Sequence, residues 1–312
     1  MSLGGHRPIR NTDGGPAHGG PPESVVVDEV AQPLTTEPVV LPYYQPPRGR
    51  KPIARDVILE GSGPEDSLSG SIRDAAEASF GATIMLEAVI GNDDRVRLAD
   101  PLIRTNPWRQ ICALRIQSVT GASYSGTGWF IGPQVLATAG HCVFLQKEGG
   151  WPASIDVIPG KGGATEPYGR GTATRFASVE GWVTDASRDF DYGVIFLDDP
   201  EIGMKVGNFE VEASLDSEIA GVTARVSGYP VDRDRAEFQY YHERRLQSAS
   251  ETRLLYDIDT FGGQSGSPIW RQLEGSSPVA MGIHTTGGLT SNSGTRISDP
   301  VLANLILWNQ EP

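Results

Sequence analysis

The chain has 312 residues and a formal net charge of −13, with 38 % apolar and 21 % charged residues. That acidity argues against nucleic acid, whose phosphates it would repel, and against anionic membranes or strongly acidic substrates at long range. No apolar run reaches the roughly 18 residues of a membrane span, and the two cysteines, Cys112 and Cys142, allow at most one disulfide and are too few for a cysteine-built zinc site.

Residues 1 to about 45 interleave Gly, Pro and acids, as in GGPAHGGPP and LPYYQPP, a composition that predicts a disordered head. The first twenty residues hold no apolar core of a signal peptide. Residues 46–70 are mixed, with basic RGRK at 48–51 and then polar GSGPEDSLSGS. The stretch SIRDAAEASFGATIMLEA (71–88) predicts a short helix interrupted at Gly81. The chain therefore divides into a low-complexity segment, 1–87, and a second part, 88–312, of different texture.

From about Val89 onward, apolar runs of four to eight residues recur between turn signals. They are ICALRIQ (111–117), TGWFIG (127–132), QVLATA (134–139), DYGVIFL (191–197), GVTARVSGY (221–229), TRLLYDI (252–258) and SPVAMGIH (277–284). Such spacing predicts an all-β sandwich or pair of barrels. The end differs: Val301, Leu302, Leu305, Ile306 and Trp308 share one face of a predicted C-terminal helix.

Chemistry concentrates at three places. GGQSGSP (262–268) sets Ser265 among glycines. An isolated SGS is an ordinary turn, but here Gly263 lacks a side chain, so the N–H groups of Gly263 and Ser265 can converge on the oxyanion of an acyl-transfer intermediate. Of five histidines, His6 and His18 lie in the head. His141, in LATAGHC after an apolar strand, is the one placed as general base. Asp191 opens the strand YGVIFL and is the carboxylate best placed to orient the imidazole. Asp189 is its competitor, while Asp198 and Asp199 read as solvated turn residues. The order His141, Asp191, Ser265 is that of chymotrypsin, unlike subtilisin or the α/β-hydrolases. Spacings of 50 and 74 residues let one barrel carry His and Asp and a second carry Ser. This chemistry requires no cofactor, and no acidic loop identifies a calcium site.

Over residues 89–309 the sequence resembles the bacterial glutamyl endopeptidases, the V8-like branch of the chymotrypsin-fold serine proteases. The matching stretches are VIGNDDR (89–95), NPWR (106–109), GTGWFIGPQVLATAGHC (126–142), DYGVIFL (191–197), SGYP (227–230), DTFGGQSGSP (259–268), GIHT (282–285) and GTRIS (294–298). A monomer is the expected state; the resemblance implies two six-stranded antiparallel β-barrels, a pro-segment, polypeptide substrates cut after Glu and then Asp, and secretion. It implies an S1 pocket with Thr260 and His284 against the substrate carboxylate, a suitable pair because a hydroxyl and an imidazole both donate. It places Thr285 beside Asp191. It also implies a zymogen cut between Glu87 and Ala88, with the new α-amino group of Ala88 near S1. Some members pair a cysteine just before the TGW stretch with the one after the histidine; here that place holds Ser125 and Gly126. The alternatives are a protease of this fold with another P1 preference, and a silent homologue that only binds.

Overall fold

Runs rich in β-branched and aromatic residues, cut short by Gly and Pro turns, become short antiparallel strands in the computed structural model. It describes residues 4–13, 73–80, 88–219, 221–272, 276–288 and 290–311. In chain order the first strands are β1 (Pro8–Arg10), β2 (Arg73–Asp74), β3 (Val96–Arg97), β4 (Ile111–Gln117), β5 (Ser123–Phe130), β6 (Val135–Thr138), β7 (Ser154–Pro159), β8 (Gly171–Ala173), β9 (Arg175–Val179) and β10 (Gly193–Phe196). Hydrogen bonding follows the order β9-β10-β6-β5-β4-β7-β8. Only Thr174 separates β8 from β9, so one bent strand closes six strands on themselves. Each strand turns its branched and aromatic side chains inward: Leu114, Phe130, Leu136, Val157, Phe176 and Ile195 are buried in one core.

The second half contributes β11 (Glu210–Val211), β12 (Thr223–Gly228), β13 (Tyr240–Ala249), β14 (Arg253–Tyr256), β15 (Pro268–Arg271), β16 (Val279–Gly287) and β17 (Asn292–Arg296). Here the order β16-β15-β12-β13-β14-β17 returns to β16 through a β16–β17 pairing, a closed six-stranded barrel. Val226, Leu246, Leu254, Ile269 and Met281 fill it. The two barrels and the C-terminal helix agree with the sequence reading.

The helix spans Asp299–Gln310, starts after Ser298 with a proline in its first turn, and buries Val301, Leu302, Leu305 and Trp308. Ile306, expected on that face, is only partly buried. Asn304 is buried instead, and its amide donates to the His6 carbonyl and the Tyr192 hydroxyl.

Two pieces of the head are built into the fold. β1 pairs with β9, Ile9 opposite Ser178. β2 runs parallel to β5, Asp74 opposite Ser125, and continues into a single helical turn, Glu77–Phe80. This turn is all that the described residues contain of the helix expected over 71–88. His18, RGRK and the polar stretch 61–71 lie outside the described residues.

Candidate active site

The β6–β10 pairing sets Thr138 opposite Gly193. His141, three residues past the end of one strand, and Asp191, two before the start of the other, therefore meet at one rim of the first barrel. Asp191 Oδ2 lies 2.8 Å from His141 Nδ1, and Oδ1 accepts the His141 backbone N–H at 2.9 Å. Both side chains are fully buried. Burial opposes charge on the ring, but the adjacent Asp191 carboxylate outweighs it and holds the His141 pKa well above the ordinary value. His141 Nε2 has no hydrogen-bond partner among the described residues. Asp189, the competitor, is elsewhere and accepts a bond from the exposed Thr252 hydroxyl.

Ser265 sits in the turn before β15. Gly266 holds φ +90° there, and a Cβ on it would stand 2.1 Å from the Thr127 carbonyl oxygen, so only glycine fits. Gly263 has φ +94°, and a Cβ would meet the Tyr229 oxygen at 2.4 Å. Thr127, unremarked in the sequence, fastens this turn to the first barrel. Its N–H donates to the Ser265 carbonyl and its hydroxyl to the Gly263 carbonyl, both at 2.8 Å. Cys142 Sγ, next to His141, lies 3.7 Å from the Ser265 carbonyl oxygen. The turn thus closes on the rim that holds His141 and Asp191.

The Gly263 N–H donates to the Asp74 carboxylate at 3.0 Å. Residues of the head therefore reach the site: the Phe80 ring stacks edge-on against His141 at 6.0 Å and Trp182 at 5.7 Å. With this segment in place, Ser265 and His141 are 0 % exposed.

Thr260 and His284 are also fully buried. The Thr260 hydroxyl has no partner among the described residues. The Tyr256 hydroxyl lies 2.5 Å from His284 Nδ1. Burial first, and then the positive fields of His141 and Arg253, depress the His284 pKa to about 3. Ala88 lies beside Thr260, whose N–H donates to the Ala88 carbonyl at 3.3 Å. Asn292 clamps the same residue: its Oδ1 accepts the Ala88 N–H at 2.9 Å, and its Nδ2 donates to the Ala88 and Ile258 carbonyls at 2.6 and 2.8 Å. Neither Asn292 nor Tyr256 carries a local sequence signal; each acts through strand pairing.

Thr285, which the resemblance sets beside Asp191, makes no hydrogen bond to it: its hydroxyl has no partner among the described residues, while the two Asp191 carboxylate oxygens meet His141. Thr295 donates instead to the Asp191 backbone carbonyl at 2.9 Å. Cys112 and Cys142 are both free and buried.

A family model described as Trypsin matches residues 104–303. The chain belongs to the trypsin family. It is 38 % identical over 234 residues to the "Glutamyl endopeptidase" of Bacillus licheniformis, covering 73 % of this chain and 71 % of that one. It is 34 % identical over 227 residues to the "Extracellular metalloprotease" of Bacillus subtilis, covering 72 % and 71 %. A solved Glu endopeptidase superposes with a TM-score of 0.64 at 28 % identity, covering 72 % of this chain and all of that one. This trypsin-family chain is a serine endopeptidase acting on polypeptides, and none of its described helices is long and apolar enough to cross a membrane. One metal-like grouping occurs among the described residues, Asp94, His242 and Asp259. These groups already hold the protein's own donors: the Asp259 oxygens accept the N–H groups of Ile90 and Asp94, His242 Nδ1 accepts that of Asp259, and Arg244 donates to His242 Nε2 and to the Asp94 carboxylate. It braces the segment after Ala88.

Proposed function

We propose that this trypsin-family enzyme cleaves after Glu, and secondarily Asp, by a triad of Ser265, His141 and Asp191, and that it is made as an exported, monomeric zymogen cut between Glu87 and Ala88. The observation that carries the reading is the buried His141–Asp191 pair, with its uncommitted Nε2, at the rim on which the Ser265 turn closes. The Asp191 carboxylate accepts a hydrogen bond from Nδ1–H, which selects the tautomer with its Nε2 lone pair toward the cleft, and it stabilises the imidazolium that forms when Nε2 takes a proton. Ser265 Oγ attacks the scissile carbonyl as Nε2 takes its proton, and the N–H groups of Gly263 and Ser265 hold the oxyanion. His141 then protonates the leaving amine, and water releases the acyl group by the reverse proton path. A carboxylate oxygen on the Gly263 N–H supports the assignment of an anion-stabilising hole.

At S1, a Tyr256 hydroxyl donating to Nδ1 keeps the His284 proton on Nε2. A neutral His284 and the Thr260 hydroxyl then offer two donors to a substrate carboxylate. The names of the two Bacillus relatives support Glu specificity and an extracellular setting. Asn292, beside Thr260, supports the cut after Glu87, because it already holds the residue that would become the amino terminus.

The test is labelling with a fluorophosphonate and sequencing of the tagged peptide, with a P1 peptide library run on the same enzyme. Label on Ser265 is expected. In Ser265→Ala, kcat should fall by about 10⁶-fold with an unchanged circular dichroism spectrum. Near-normal turnover by the folded variant overturns the triad, and a library profile indifferent to Glu overturns the specificity.

A further inference from the structure

The substrate cleft of the intact chain is occupied by the chain's own segment 73–80, and the manner of occupation is specific. Asp74 Oδ1 takes the Gly263 N–H at 3.0 Å. The next residue donates its backbone N–H to the Ser125 carbonyl on β5 at 2.9 Å. The helical turn is then tied down by the Lys147 N–H on the Ala78 carbonyl at 2.8 Å and Lys147 Nζ on the Phe80 carbonyl at 2.9 Å. Phe80 closes over His141 and Trp182, and the Arg188 guanidinium lies 5.0 Å from its ring centre. Ala75 and Ala76 are wholly buried and Asp74 is 5 % exposed. A Cβ placed on Gly262 would stand 2.9 Å from Asp74 Cβ, so the glycine lets the aspartate approach.

We infer that segment 73–80 is a built-in, uncleaved inhibitor whose Asp74 side chain plugs the oxyanion hole. The inference rests on the proposed roles of Ser265 and Gly263 and names how that site is regulated. The segment contains Asp74 and Glu77, both acidic residues after which the enzyme is proposed to cut, yet it is not presented as a substrate. The group on the Gly263 N–H is a side-chain carboxylate, not a peptide carbonyl, so no scissile carbonyl is polarised there. A carboxylate in that hole resembles the acid product that deacylation leaves. It is anionic, like the intermediate the hole is shaped for, but has no leaving group.

The experiment uses the full chain carrying Glu87→Gln, its integrity verified by mass, so that the head stays attached. The rate of fluorophosphonate labelling of Ser265 is compared for this protein, for Asp74→Ala and Asp74→Asn in the same background, and for mature enzyme without the head. Losing a hydrogen bond to a charged group predicts that Asp74→Ala labels about ten- to a hundredfold faster than the intact parent, and that Asp74→Asn, whose amide oxygen can still accept the Gly263 N–H as a weaker, uncharged bond, labels faster than the parent by a smaller factor. The mature enzyme should label fastest. If Asp74→Ala does not fold, Asp74→Asn keeps the shape and removes only the charge. Intact Asp74 variants that label no faster than the parent, beside mature enzyme that labels readily, overturn the plug and leave the triad standing. Mature enzyme that takes no label at Ser265 indicts the catalytic assignment instead.

Discussion

Asn292 makes three hydrogen bonds from a fully buried side chain, two to Ala88 and one to the Ile258 carbonyl. Asn292→Ala removes all three. At a net worth of about 1 kcal/mol per bond, stability should fall by about 3 kcal/mol. For a domain of this size that is roughly 6–12 °C in melting temperature. The functional effect should exceed the structural one. In enzyme cut after Glu87, Asn292 Oδ1 would hold the α-ammonium of Ala88 beside Thr260, and such a group is largely protonated at neutral pH. Without the clamp that charge is no longer fixed at S1. A buried charge pair is worth roughly 2–5 kcal/mol when broken, so the ratio of kcat/KM for Glu over Gln at P1 should drop by at least about tenfold. Asn292→Asp tests the sign of the field: it keeps an oxygen for the ammonium but loses both donors and brings an anion beside S1, so it should melt lower and lose the Glu preference at least as far as Asn292→Ala. The assay is steady-state cleavage of matched Glu and Gln peptides by mass-verified mature enzyme. A lowered melting point with an unchanged Glu:Gln ratio in Asn292→Ala would refute the reasoning.

His284→Ala should lose cleavage after Glu far more than residual cleavage at neutral residues, with a cost of roughly 2–5 kcal/mol on the charged substrate; an unchanged P1 profile removes His284 from the pocket. A Cβ on Gly126 would lie 2.9 Å from Cys142 Sγ, close to the separation of about 3 Å across an S–S bond. Gly126→Cys should therefore form a disulfide, worth about 3 kcal/mol for a loop of this length, and free thiol at both positions in the oxidised protein would contradict it. The folded chain, with His284 held at about 3 against an ordinary 6.5, refuses a proton that the unfolded chain accepts. Its contribution is complete above about pH 6.5 and is lost as pH falls toward 3. Melting temperature should accordingly fall over that window in the parent and fall less in His284→Gln; parallel curves would sink the assignment.

The all-β architecture was legible because β4 is a nearly continuous run of Ile, Cys, Ala and Leu bounded by turns, and the C-terminal helix because its apolar spacing changes to that of a helix. The polar strand β13, YYHERRLQSA, carries no such signal. One of its faces meets solvent, and of its ten residues only Tyr240, His242 and Leu246 are buried. Asp191 could be preferred to Asp189 because it opens a buried strand, and the structure sets it against His141 while Asp189 bonds Thr252. Thr127, Tyr256 and Asn292 escaped notice for a common reason. Each owes its role to a partner far away in the chain, Thr127 to Ser265, Tyr256 to His284 and Asn292 to Ala88, and a single threonine, tyrosine or asparagine looks ordinary in its own stretch. Asp74 is harder still, since 189 residues separate it from Gly263. The charge of the head was visible; the one carboxylate that reaches the cleft was not.

The head grips the enzyme at two separate points: β1 lies on the first barrel, with Arg10 paired to Glu311, and segment 73–80 lies in the cleft. It is in effect a bivalent ligand on one connector. Severing the chain after Glu87 would make it a separate molecule without setting it loose, because each foothold keeps the other at high local concentration. Autonomy would come when the connector itself is broken, and it offers acidic sites at Glu23, Glu29, Glu37, Glu60 and Glu65. Each such cut would turn one tenacious binder into two weak ones. The lag before full activity would then report the breaking of the connector and not the first cut, so a burst of mature-length chain should precede the burst of turnover.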